Sequence, residues 1–242
     1  MLPHRKYQNT LVSGISIGMY QGQPSASTLG PFFKTDAEPG KKFILTVSHA
    51  VGGTGSDVIQ PGSLDELSDR RNCCAVVSRY NFHGVDDDNK LLDYAFCEIT
   101  DERKNSVNNR PFHTNIDLAY NKHGVSGTIN SINCVQKVGR KTAHTYGLVY
   151  DKYKKLFHEG LQRYVQALIV EPIDKHSSSK IYNNFGDKGD SGAPVFDENG
   201  CLWGIFQGIK TSTNTGHAAV IVPIHLILNH VKKEFNVDFQ LI

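Results

Sequence analysis

Gly, Pro, Asn and Asp divide this chain of 242 residues into short apolar or alternating runs, and that rhythm constrains its fold most. Runs of four to ten residues between turn formers are strand signals. In the first half they are Leu11–Tyr20, Thr28–Lys34, Phe43–Ser48, Asp57–Gln60, Cys74–Tyr80 and Tyr94–Ile99. A polar stretch from Thr100 to Gly127, rich in Asn, Arg and Asp, breaks the pattern and reads as a linker. The second half offers Gly127–Asn133, Val135–Val138 with its continuation Thr145–Asp151, Tyr164–Pro172, Ala193–Asp197, Cys201–Gln207 and His217–Val222. Helical spacing enters at the end, where Pro223 precedes Ile224, Ile227, Leu228, Val231 and Phe235. Length alone allows one large domain or two barrels sharing an interface. Two consecutive six-stranded sets predict an all-β protein of two six-stranded antiparallel β-barrels with a C-terminal α-helix. The expected division is residues 1–115 for the first barrel and 116–242 for the second barrel with the helix.

Bulk properties narrow the function classes. A net charge of +2 gives no reason to expect nucleic acid or a membrane as partner. The basic cluster Lys152–Lys155 is short and reads as a solvated loop or strand end. No apolar run approaches the ~20 residues of a membrane span. The opening Met1-Leu2-Pro3-His4-Arg5-Lys6 lacks the apolar stretch of a secretory signal. Five cysteines, an odd number with Cys73 and Cys74 adjacent, fit reduced thiols and an intracellular, cytoplasmic or nuclear setting.

Chemistry concentrates in three segments. Gly186-Asp187-Lys188-Gly189-Asp190-Ser191-Gly192-Ala193-Pro194-Val195-Phe196 is a tight turn that presents a serine hydroxyl among bare backbone, just before an apolar strand. A serine is a poor nucleophile until a base takes its proton. His49 is the candidate base, after the strand Phe43–Val47. Asp93, between Leu92 and Tyr94-Ala95-Phe96, is the candidate partner that fixes the histidine tautomer. Ser191 is the candidate nucleophile, and the backbone N–H groups of Gly189 and Ser191 are candidate oxyanion donors. A lone histidine, aspartate or serine turn would signify little. Their order, each beside its expected strand, reads as a His49–Asp93–Ser191 triad.

These segments resemble those of the chymotrypsin-like (trypsin-fold) serine peptidases, of a non-secreted, intracellular type. Thr46-Val47-Ser48-His49-Ala50 is similar to the family's histidine motif, Asp93-Tyr94-Ala95 to its Asp-x-Ala motif, and Gly189-Asp190-Ser191-Gly192-Ala193-Pro194 to its serine motif. The resemblance implies endopeptidase activity on peptide or protein substrates through an acyl-enzyme, with His49 and Asp93 on the first barrel and Ser191 on the second; no cofactor or metal is expected. The stretch Lys137-Val138-Gly139-Arg140-Lys141-Thr142-Ala143-His144-Thr145-Tyr146-Gly147 is similar to one in intracellular members, with Ala143 where a second glycine is usual. Further positions carry over as substrate-binding: Phe185 at the base of the primary pocket, with Gln207, Gly208 and His217 in its walls. An apolar Phe185 argues against a preference for Lys or Arg. The family's secreted members have a cysteine after the histidine where this chain has Ala50. No Ile-Val-Gly-Gly start follows a basic cleavage site. Asp190 therefore lacks its usual partner, a freshly cut N-terminus, which leaves internal pairing or ordering by substrate or a partner.

Three competing readings are weaker. An esterase of the α/β-hydrolase type needs its acid and histidine after the serine, and 51 residues follow Ser191 with few helical patterns. A catalytically weak or inactive peptidase scaffold that binds peptides is the alternative from a different class. Cys73-Cys74 with His83 lacks a zinc spacing, and Asp86-Asp87-Asp88-Asn89 reads as a solvated turn rather than a calcium loop.

Overall fold

The computed structural model describes residues 2–67, 69–112, 124–125, 133–149, 152–173, 184–211 and 217–242. The first half contributes strands β1 (Leu11–Val12), β2 (Ser16–Met19), β3 (Ser27–Thr28), β4 (Phe32–Thr35), β5 (Phe43–Thr46), β6 (Asp57–Ile59), β7 (Cys73–Val85), β8 (Leu91–Ile99) and β9 (Val107–Asn108). A one-turn helix α1 (Ser48–Val51) follows β5. The second half contributes β10 (Asn133–Gly139), β11 (Ala143–Val149), β12 (Lys154–His158), β13 (Arg163–Ile173), β14 (Pro194–Asp197), β15 (Leu202–Thr211), β16 (His217–Pro223), helix α2 (Ile224–Phe235) and β17 (Phe239–Leu241).

Both sets close into barrels. In the first, neighbours run β4-β5-β8-β7-β6-β2-β3. β3 and β4 are halves of one extended run interrupted at Leu29–Pro31. Leu29 N–H still donates to Ile15 and the Pro31 carbonyl still accepts Leu45 N–H, so this run joins β2 to β5 and completes six strands. In the second, the order β11-β10-β14-β15-β16-β13 returns to β11 through pairs from Tyr146↔Ile173 to Val149↔Val170. The fold is therefore the expected double β-barrel with a C-terminal helix.

Several details depart from expectation. β12, not among the expected strands, forms a hairpin with the start of β13, pairing Leu156 with Val165; Lys154 and Lys155 are its exposed beginning, as a solvated strand end. β17 returns to the first barrel and pairs with β4. The predicted linker holds β9, parallel to β1. Positions 113–123, including the 115/116 boundary, and most of the predicted strand 127–133 lie outside the described residues.

Alternation explains the cores. On β8, Leu92, Tyr94 and Phe96 join an apolar cluster shared by both barrels and by Ile224, Ile227 and Val231 of α2. Ala95, Cys97 and Ile99 face the interior of the first barrel. Val135, Val195, Trp203, Phe206 and Ile221 fill the second. A strand buried on both faces reads as a continuous apolar run, and Asp93 interrupts that run on β8.

Candidate active site

β5 delivers the chain into α1, and the second residue of that turn is His49. Its backbone N–H donates to Asp93 Oδ1 at 3.2 Å, and its ring Nδ1 contacts Asp93 Oδ2. Asp93 is fully buried. Burial alone would raise its carboxyl, but the His49 hydrogen bond and charge hold it below the ordinary range. Burial likewise pulls the His49 imidazole down, and Asp93 more than offsets it, so the net direction is upward. With Nδ1–H committed to a carboxylate, Nε2 keeps the lone pair of a base.

The serine turn packs against the first barrel. The Ser191 carbonyl accepts Thr28 N–H at 2.9 Å, and Thr28 Oγ1 donates to the Gly189 carbonyl at 3.0 Å. Gly189 has φ +104°, a region that suits only glycine well. The N–H groups of Gly189 and Ser191 engage no acceptor among the described residues. The Ser191 hydroxyl donates to the Gln207 carbonyl at 3.2 Å rather than to His49, whose Nε2 has no hydrogen-bond partner among the described residues.

Gln207 stands between the barrels. The β15–β16 register shifts between Phe206 and Gly208, which leaves Gln207 as the extra residue of a bulge. Its Nε2 lies 3.4 Å from both Asp93 Oδ2 and His158 Nε2. His158, from the β12–β13 hairpin, is half-buried and was not anticipated. Its ring lies 5.5 Å from His83, which pairs with Asp93 across the β7–β8 ladder. Burial, then the neighbouring His83, pushes the His158 imidazole down. Among the described residues no three His, Cys, Asp or Glu side chains are grouped to hold a metal.

Asp190 has an internal partner. Its carboxylate lies 3.2 Å from Lys137 Nζ, and both side chains are fully buried. Oδ1 accepts N–H from Lys141 (2.7 Å) and Thr142 (3.2 Å). Oδ2 accepts Thr142 Oγ1 (2.7 Å) and Asp187 N–H (3.0 Å). Lys137 in turn donates to Thr142 Oγ1 at 2.6 Å, and its ammonium lies 5.6 Å from the Phe185 ring centroid. Burial would raise the Asp190 carboxyl, but Lys137 and these hydrogen bonds hold it low, and burial pushes the Lys137 ammonium down. The stretch Lys137–Gly147 is thus the cradle of the serine turn. Gly139 is required there, because a Cβ would sit 2.3 Å from Asp190 Oδ1.

The pocket candidates fare differently. Phe185 is fully buried in the core of the second barrel, and its carbonyl accepts Thr145 Oγ1 at 2.5 Å. Its ring meets Lys137 and core residues rather than solvent. Gly208 follows the bulge in open space. His217 pairs with Thr211 at the start of β16, and its side chain lies outside the described residues.

The architecture is that of the chymotrypsin-like serine proteases. Among solved structures, the chain is similar to Thermobifida fusca Protease A, with TM-score 0.65 and 16% identity over 96% of this chain and 98% of that one. A Nocardiopsis protease matches over 95% of this chain and 98% of its own, with TM-score 0.64 and 17% identity. Cellulomonas bogoriensis chymotrypsin matches over 96% and 98%, with TM-score 0.57 and 15% identity. These likenesses are of fold. No protein-family model matches the chain. Over 152 residues, 60% of the chain, it is 29% identical to a protein translocase subunit SecA from Antithamnion sp. The match spans 16% of that protein's length.

Proposed function

We propose that the chain is a serine endopeptidase that cleaves peptide or protein substrates through an acyl-enzyme. The observation that carries this reading is the buried Asp93 paired with His49, linked through Gln207 to the Ser191 hydroxyl inside a protease fold. In the proposed first step the Ser191 hydroxyl turns from the Gln207 carbonyl to His49 Nε2. The imidazole takes its proton as Oγ attacks the substrate carbonyl. The oxygen that gains charge is received by the unengaged N–H groups of Gly189 and Ser191. His49 then returns the proton to the leaving amine, and water releases the acyl group by the same route. Asp93 stabilises the imidazolium throughout. The free thiols of Cys73, Cys74 and Cys97 support operation in a reducing, intracellular compartment.

One observation favours the alternative of a non-catalytic peptide-binding module: the Ser191 hydroxyl rests on Gln207 rather than on His49. Fluorophosphonate labelling separates the two. Labelling of the wild type that is lost in Ser191→Ala is expected. An unlabelled wild type that binds peptides without cleaving them selects the alternative.

A further inference from the structure

We propose that the N-terminal arm, residues 2–8, is a working part of this site, and that His4 is a positioning residue for the serine turn. One peptide unit joins the arm to the serine turn. Pro3–Arg5 forms a single helical turn in which His4 is only 3% exposed. His4 Nε2 lies 2.9 Å from the Arg140 carbonyl, and Arg5 Nε and Nη2 donate to the same oxygen, each at 3.2 Å. The peptide that carries this oxygen also carries the Lys141 N–H, which donates to Asp190 Oδ1 at 2.7 Å. A peptide is rigid and planar, so donors that hold its oxygen also aim its N–H. They also polarise it, strengthening the bond to the carboxylate.

Arg140 extends the connection. Its backbone N–H donates to Thr28 Oγ1 at 3.0 Å, and that hydroxyl donates to the Gly189 carbonyl. Its guanidinium is anchored by Asp65 through Nε and Nη2, each at 2.5 Å. The arm is itself fastened to the first barrel. Gln8 N–H donates to Gln60 Oε1, Gln60 Nε2 to the Lys6 carbonyl, and Arg103 Nη2 to the Gln8 carbonyl. The His4 ring also packs edge-on against Phe112, with centroids 5.9 Å apart. The arm therefore reaches the acid beside the nucleophile from outside, through the peptide that follows Arg140, while Lys137 reaches it from within.

The catalytic half of this proposal rests on the peptidase reading, and the test separates the two. In the full chain, His4→Ala should raise amide exchange of Lys141, Thr142, Asp190 and Gly192 about tenfold, the effect of roughly one lost hydrogen bond. Exchange in β5 and β8 should not change. Turnover should fall about five- to tenfold at unchanged KM. His4→Gln, whose amide can donate to the same carbonyl, should restore most of both. Wild-type exchange at those four amides in His4→Ala, a change spread evenly over the protein, or a Gln variant as impaired as the Ala variant would each overturn the proposal. A wild type that labels with no fluorophosphonate defeats the peptidase reading alone, because the exchange measurement still decides whether the arm holds the turn.

Discussion

Replacing Lys137 by Met asks whether an internal cation holds the serine turn. Met has nearly the length of Lys and no charge, and it suits the slot between Phe185 and Phe206, whose ring centroids lie 5.6 and 5.8 Å from Nζ. The substitution keeps the packing and removes a fully buried ion pair at 3.2 Å. Breaking one side of such a pair costs about 3–5 kcal/mol, because the other charge stays buried. Asp190 retains three N–H or O–H donors from Lys141 and Thr142 and a fourth from Asp187. The expected loss is therefore at the lower end, about 3 kcal/mol. With a urea m-value of about 3 kcal/mol/M for a protein of this size, the midpoint falls by about 1 M. The single tryptophan, Trp203, is buried and reports the transition by fluorescence. Adding Asp190→Asn removes the stranded charge and should recover at least about 1 kcal/mol relative to additivity. Stability within about 0.5 kcal/mol of wild type in Lys137→Met, with undiminished peptide hydrolysis, would refute the reasoning.

Other predictions are compact. Ser191→Ala should abolish nearly all peptide hydrolysis while the far-ultraviolet dichroism and the urea midpoint stay within error of wild type; His49→Ala should abolish it equally but lower the urea midpoint, because it leaves the buried Asp93 carboxylate without its main partner. Asp93→Asn should lower turnover on the order of 10⁴ if Asp93 sets the His49 tautomer; near-wild-type turnover in a fluorogenic peptide assay would remove it from the site. Gly139→Ala should cost about 1–3 kcal/mol in urea, because its Cβ would meet the Asp190 carboxylate, which has no room to withdraw. Activity should fall toward acid with a midpoint above the ~6.5 of free imidazole, since Asp93 outweighs burial at His49. The same shift contributes stability that is complete below the unfolded value and lost as pH rises through the folded one. Across that window hydrolysis should therefore rise while the His49 contribution to stability declines, read by pH–rate and pH–urea profiles on one preparation.

Period-two alternation and turn punctuation made both barrels legible, because a strand buried on one or both faces has few other ways to read. Phe43–Ser48 and Tyr94–Ile99 read as such strands, with His49 directly after the first and Asp93 directly before the second; in the structure Asp93 lies within β8. The β12–β13 hairpin was missed for a physical reason. Lys154, Lys155 and Phe157 point to solvent there, and buried Leu156 alone gives no alternation to see. His158 was lost with it. β17 is three residues long and draws its stability from pairing with β4, a contact between opposite ends of the chain that no local pattern encodes. The arm on Arg140 was invisible because its acceptor is a main-chain carbonyl, identical at every position of a sequence.

The partner of Asp190 was within reach of the same alternation that revealed the barrels. Val135 and Lys137 are two apart on β10 and so share a face, and Val135 lies in the core of the second barrel. An ammonium on that face must meet an anion, or its burial would cost more than the strand could stabilise. Asp190 lies just before the strand that pairs with β10, where Lys137 stands opposite Val195. Register then does the rest, because forming the β10–β14 ladder carries Lys137 to the foot of the serine turn. The cation that orders the turn is thus installed by folding of the second barrel itself. The charge that faces Asp190 is then part of β10 itself, while Thr28 holds the turn from the side of the first barrel.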